Sequence, residues 1–281
     1  MTAREVRMEM DGRCLHRADY LVCLFSCLPL CFCGQGTAGE MKQSVKIDAS
    51  NWRVQRNMFG TYGYRPQQSV LTEAGGFRFW LPAGMDGVTQ TGVYSYFVFA
   101  GDFEVTCSYE FLNVQSPKTG RGNGVGLAVD VGDEGGRAVL QRLETPFDGS
   151  GYSLFSWLGE GGERTAGQYH FVPTSSKGGR MGLRRLSKDL IFLAPDTPGE
   201  PLHEIGRHTF TKETIRTVQF FADPGGSPMA VHARLRDIEV QAEEITGGVP
   251  QRDAAANWWW LWLLFPASSA VLLVWRWRAN R

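Results

Sequence analysis

The sequence predicts an all-β domain, two antiparallel sheets packed as a jelly-roll sandwich, with one transmembrane helix at the C-terminus. Three observations lead there. Short segments alternate apolar and polar side chains with the period of two that marks a strand with one buried face. Glycine, 34 of the 281 residues, gathers with charged residues between those segments, as the turns of a sandwich require. Before Asn257 no long stretch repeats at the 3.6-residue period of a helix, whereas residues 258–275 carry no charge at all.

The chain opens with a leader. Residues 20–39 are uncharged, Arg13 and Arg17 precede them, and small residues close the run, the arrangement of a secretory signal peptide. Gly36 and Ala38 fit the small-x-small rule, which sets the leader at residues 1–38. Glu5, Glu9, Asp11 and Asp19 make its first part unusually long and polar, so Met8 and Met10 are alternative starts. LFSC (24–27) also resembles the box before a lipidated cysteine, and a retained N-terminal anchor is a third reading. Of six cysteines, Cys14, Cys23, Cys27, Cys31 and Cys33 lie in this leader as small hydrophobes. Only Cys107 belongs to the exported domain, which therefore stands on its core without an internal disulfide.

Residues 41–246 suffice for one domain of the larger all-β kind. GDFEVTCSYEF (101–111) sets Phe103, Val105, Cys107, Tyr109 and Phe111 on one face and polar residues on the other, so Cys107 faces the core. Segments 75–82, 93–100, 124–131, 137–144, 151–158 and 167–174 read as further strands. Segment 179–194 reads as a hairpin turning at Ser187, Lys188 and Asp189. Segments 214–223 and 230–245 supply the last strands.

A linker, 247–256, leads to the predicted span, 257–275. Trp258, Trp259, Trp260 and Trp262 gather at one end of it and Trp275 and Trp277 at the other, where indoles prefer the headgroup region. Pro266 would cost a soluble helix about 3 kcal/mol, yet proline is tolerated within membranes. Arg276, Arg278 and Arg281 make a basic cytoplasmic tail, 276–281. The expected protein crosses a bacterial envelope membrane once, with the sandwich outside the cytoplasm. A sorting signal removed after export is the alternative use of such a tail.

In order, GGFRFWLP (75–82), GDFEVTCSYEF (101–111), GNGVGLAVDV (122–131), GLRRLSKDLIFL (182–193) and VHARLRDIEVQAEE (231–244) resemble concanavalin A-like lectin/glucanase sandwiches. They are most similar to an uncharacterised bacterial exported family of unknown function. The resemblance covers nearly all of residues 41–245. It implies the fold and a tendency to bind glycans or protein surfaces.

Catalytic chemistry finds no support in the sequence. The related retaining glucanases place carboxylates at alternate positions of one strand, about 5 to 5.5 Å apart. No E-x-D-x-E string occurs; Asp102 with Glu104, and Asp237 with Glu239, are the nearest pairs and read as solvent-facing, with Glu110 far along the first strand. HEIGRH (203–208) has one residue too many for H-E-x-x-H, which would set its histidines about 140° apart on a helix. PKTGRGNG (117–124) lacks the G-K-[ST] of a phosphate loop, and Ser150 reads as a turn residue. No metal site and no cofactor is expected. Calcium at Asp130, Asp133 and Glu134 is conceivable, but a hairpin tip is the plainer reading of that loop. With 29 basic and 29 acidic residues the chain has no electrostatic footprint for nucleic acid.

Aromatic residues are the expected ligand contacts, because sugar rings bury apolar faces on them. Trp80, Tyr94, Tyr96 and Trp157 are the candidates. The expected function is a membrane-tethered, outward-facing, non-catalytic module that binds a glycan or a surface partner. An assembly module docking an envelope protein is the second reading and a glycoside hydrolase the third.

Overall fold

The alternating segments form strands. The structure, a computed structural model, describes residues 45–84, 90–132, 135–160, 163–164 and 167–247. Its strands are β1 (Val45–Asp48), β2 (Phe59–Tyr62), β3 (Val70–Glu73), β4 (Gly76–Leu81), β5 (Thr91–Ser95), β6 (Phe97–Val114), β7 (Asn123–Gly132) and β8 (Gly136–Glu144). They continue with β9 (Ser150–Trp157), β10 (Gly159–Glu160), β11 (Glu163–Arg164), β12 (Gln168–Pro173), β13 (Gly178–Leu186), β14 (Asp189–Ala194), β15 (His203–Thr209), β16 (Thr217–Asp223) and β17 (Val231–Gly247). Two short helices, α1 (Trp52–Met58) and α2 (Pro66–Ser69), lie among the first strands. The expected leader, membrane helix and basic tail lie outside the described residues. Among the described residues no helix is long and apolar enough to cross a membrane.

Two antiparallel sheets face each other. The first runs β15-β14-β13-β6-β17-β4-β3, with β1 also paired to β17; the second runs β12-β9-β8-β7-β16-β5-β2; β10 and β11 form a separate ribbon. Alternation sends one side of each strand inward, and Phe79, Phe103, Val105 and Leu183 of the first sheet meet Val93, Leu127, Leu154 and Phe220 of the second in one core. Cys107 lies wholly within it, as its place in the alternation predicts.

The structure divides two segments that alternation alone joins. Segment 93–100 is not one strand: β5 stops at Ser95 and β6 starts at Phe97. Ser95 Oγ donates to Phe97 O and accepts from Val218 N, fixing the corner where the chain changes sheets. In β17 the register shifts between Arg236 and Glu239, and Asp237 takes φ of +49°. The inward side passes from Val231, Ala233 and Leu235 to Ile238, Val240 and Ala242. This bulge separates Asp237 from Glu239, which the sequence pairs on one regular strand face.

Buried polar contacts tie the sheets together. Tyr109 of β6 and Tyr152 of β9 share a hydrogen bond of 2.9 Å between their hydroxyls. Ser156 of β9 and His208 Nδ1 of β15 are 2.8 Å apart. Arg185 is buried against the Phe103 ring and donates to the carbonyls of Gly101, Thr211 and Glu213. A buried cation needs such a full set of acceptors.

Strand polarity sorts the loops. Those joining β6 to β7, β8 to β9 and β16 to β17 gather at the end where Val114 pairs with Val231 and Asn123 with Glu144. Val45, paired with Ala242, and Gly247, paired with Phe97, mark the opposite end.

Two measurements test these ties. Tyr152→Phe leaves the Tyr109 hydroxyl buried without its partner and should cost about 1–2 kcal/mol, roughly 2–8 °C in Tm by calorimetry. Burial, and then nearby His170, hold the His208 imidazole below its usual titration range. Its neutral form is the folded one, so this contribution is complete above about pH 6.5 and is lost as pH falls toward the lowered folded value. His208→Gln should flatten that part of the pH–stability curve in urea titrations.

Candidate functional site

The side of the second sheet that faces away from the core carries a cleft along β8. Alternation turns Arg137, Val139, Gln141 and Leu143 outward there, and Val139 packs with Ala128 and Phe221 in a small apolar cluster of its own. Small residues on β7 give this layer its room. A Cβ on Gly126 would come within 2.7 Å of both Gln141 Cγ and Phe221 Cζ, so only glycine lets those side chains lie over the strand.

One wall of the cleft is a continuous polar network. Arg137 Nη1 donates to both carboxylate oxygens of Asp130, its register partner on β7, at 3.1 Å each. Its Nη2 donates to Gln90 Oε1 and Gln219 Oε1, both at 3.1 Å. Gln90 and Gln141 in turn donate to Asp223 Oδ2 at 3.1 and 2.9 Å. Asp223 Oδ1 accepts from Gly225 N at 2.8 Å. Tyr62 donates to Gln219 Oε1, and burial pushes its hydroxyl well above the usual tyrosine range, so it remains a donor. Five separate segments are thereby locked across the sheet.

The facing wall is aromatic. Phe155 of β9 and its register partner Tyr169 of β12 stand side by side, and Tyr169 is 60% exposed. Phe147 projects from the β8–β9 loop, 87% exposed, on a turn closed by Thr145, which donates from N and Oγ1 to Gly149 O and accepts from Asp148 N. Arg121 and glycines of two loops form the rim, and the enclosed volume is about 540 Å³. That volume is ordinary for a small-molecule site, typically about 300–1,000 Å³.

Hydrogen-bonding capacity left open in this cleft is mixed. Gln141 Oε1 offers an acceptor, the Arg121 guanidinium offers donors, and Ser153 offers both. Asp223 is the one carboxylate among the described lining residues.

The four aromatic candidates of the sequence lie elsewhere. Trp80, 48% exposed, sits on the outer face of the first sheet, on the other side of the molecule, opposite His232 in register. Tyr94 packs edge-on against Tyr62 and Tyr96 at one flank of the second sheet, and Tyr96 occupies the corner between sheets. Trp157 pairs with Arg137 in register, beside the cleft. None of the four lines it. Phe147 and Tyr169 do, and the sequence held one signal for them: Phe147 stands in PFDG, a turn with no core position to offer an aromatic ring.

The other sequence motifs serve structure. Glu104 pairs with Arg184, and Asp102 accepts from Ser187 N at 2.6 Å to close the β13–β14 turn. HEIGRH is strand β15, with His203 against Asp196 and His208 turned inward. Asp133 and Glu134 lie outside the described residues, and Asp130 is engaged by Arg137. Among the described residues no three His, Cys, Asp or Glu side chains gather as a metal site.

No curated protein matches this sequence. Among solved structures, a legume lectin-like domain from Entamoeba histolytica is 12% identical, with a TM-score of 0.49, covering 75% of this chain and 99% of that one. LamAcat from Zobellia galactanivorans is 9% identical, with a TM-score of 0.46 and coverage of 73% and 95%. A beta-1,3-glucanase from Mycobacterium marinum is 9% identical, with a TM-score of 0.43 and coverage of 66% and 91%. The family described as "Protein of unknown function (DUF1583) C domain" matches residues 35–257, most of the length, and the chain belongs to that family.

Proposed function

We propose that this chain is a carbohydrate-binding module whose ligand occupies the cleft along β8. The observation that carries the reading is the pairing of walls: a locked polar network faces exposed aromatic rings across an apolar floor. A sugar ring stacks its C–H face on Tyr169 and Phe155 while its hydroxyls, each both donor and acceptor, meet the mixed groups left open on the other wall. That Asp223 is the one carboxylate among the described lining residues supports binding over hydrolysis, which needs a second carboxyl group across the scissile bond.

The proposal extends to location. The uncharged run 258–275 and the arginines after it support a membrane tether with the sandwich on the outer side of a bacterial envelope membrane. The polarity of β17 supports an orientation in which the rim loops point away from that tether.

A glycan array probed with the full detergent-solubilised chain tests the reading. Saturable binding of a defined glycan is expected, weakened about tenfold or more by Tyr169→Ala and by Asp223→Asn, and unchanged by Trp80→Ala. Silence across the array, with co-purification of a single envelope protein, would replace it with the assembly-module reading.

A further inference from the structure

The rim of the cleft is held by backbone packed on backbone. In the β16–β17 loop Gly225 has φ of +56°, and a Cβ there would overlap the carbonyl oxygen of Gly122 in the β6–β7 loop. Arg121 N donates to Gly225 O at 2.9 Å across the same junction. On its other side Gly122, with φ of +114°, would set a Cβ 2.9 Å from Thr145 Cγ2 and 3.0 Å from Glu144 O, at the start of the loop that carries Phe147. Three loops therefore stack in the order 225, 122, 145 with no room for a side-chain atom between them.

Both ends of this stack reach the cleft. Gly225 N donates to Asp223 Oδ1, which fixes the carboxylate of the polar wall. Thr145 closes the turn that displays Phe147. Arg121, between them, is exposed at the mouth and has no ion pair or side-chain hydrogen bond among the described residues.

We propose that Gly122 and Gly225 are positioning residues for the ligand site: their contact sets the separation between the Asp223 carboxylate, the Arg121 guanidinium and the Phe147 ring. This rests on the carbohydrate-binding reading for its consequence but not for its geometry. Neither glycine touches the ligand through a side chain. They act by excluding a methyl group's width from the rim, which keeps the site's spacing fixed before any ligand arrives.

Gly226 gives the control. It too has positive φ, +74°, but a Cβ there would meet nothing within 4 Å. Gly225→Ala and Gly226→Ala thus add similar backbone strain, and only the first forces loops apart. The full detergent-solubilised chain is compared in three forms by amide hydrogen exchange without ligand, by thermal unfolding, and by titration with neutral hexaoses of glucose, mannose and xylose.

Gly225→Ala should speed exchange at the amides of Arg121, residue 225 and Thr145 at least about tenfold over Gly226→Ala, with Tm values of the two variants within about 3 °C. Hexaose binding should weaken about tenfold in Gly225→Ala alone. Equal exchange in the two variants, or faster exchange with unchanged hexaose binding, would overturn the positioning role. If the unaltered chain binds none of the hexaoses and no array glycan, the carbohydrate reading falls, and the exchange comparison still decides whether the glycine contact holds the rim.

Discussion

The pairing of β6 with β17 is the constraint on which the rest of the molecule hangs. These strands come from residues 97–114 and 231–247, and they stay in contact from Val114 with Val231 to Phe97 with Gly247. β13 joins one side of the pair and β4 the other, so the first sheet is built outward from them. Chain leaving Val114 must cross to the second sheet, and chain arriving at Val231 must come back from it. Both passages fall at one end, and the rim loops are their product. A pairing so distant in sequence pays its loop-closure entropy before the core can repay it, which favours slow, cooperative formation of both sheets.

Local pattern made the strands legible and left the cleft hidden, for a physical reason. Phe103 to Phe111 alternate because one side of β6 is core, and that requirement is written into each residue separately. Trp80 shows the same logic from outside: it stands opposite Phe77 and Phe79 in the alternation and lies on the solvent face. The β17 bulge was also written in the sequence, since apolar residues at 231, 233 and 235 give way to 238, 240 and 242, but a reading in uniform strands passes over the change of parity. The corner at Tyr96 depends on Ser95 bonding to Val218, 123 residues away, and has no local signature. Arg137 meets Gln90 and Gln219 across separations of 47 and 82 residues. Nothing near Arg137 in sequence distinguishes it from any arginine on an exposed strand.

On the proposed reading, the cleft's selectivity follows from how much of its polarity is already engaged. Arg137 has a carboxylate and two amide oxygens for its guanidinium, and Asp223 has two side-chain amides and a backbone N–H. Charges so engaged are held in place and reorganise little on binding. What they leave outward is a scatter of single donors and single acceptors. An anionic ligand would satisfy the donors and meet Asp223 with like charge; an ammonium would do the reverse at Arg121. Hydroxyl groups satisfy both kinds, and a ring bearing them also presents the apolar face that Tyr169 and Phe155 need.

The same strand polarity links this chemistry to the ends of the domain. β1 runs antiparallel to β17, so the chain enters at the level of Ala242 and leaves after Gly247, on the side away from Gly122, Thr145 and Gly225. The proposed tether, residues 258–275, follows β17 in the sequence, so its attachment falls at that end. A tether at that end leaves Phe147 and the rim free, and it loads the domain along β17, the strand best secured by neighbours on both sides. Force on the tether would then pull against the β6–β17 ladder before it disturbed the three loops that set the cleft.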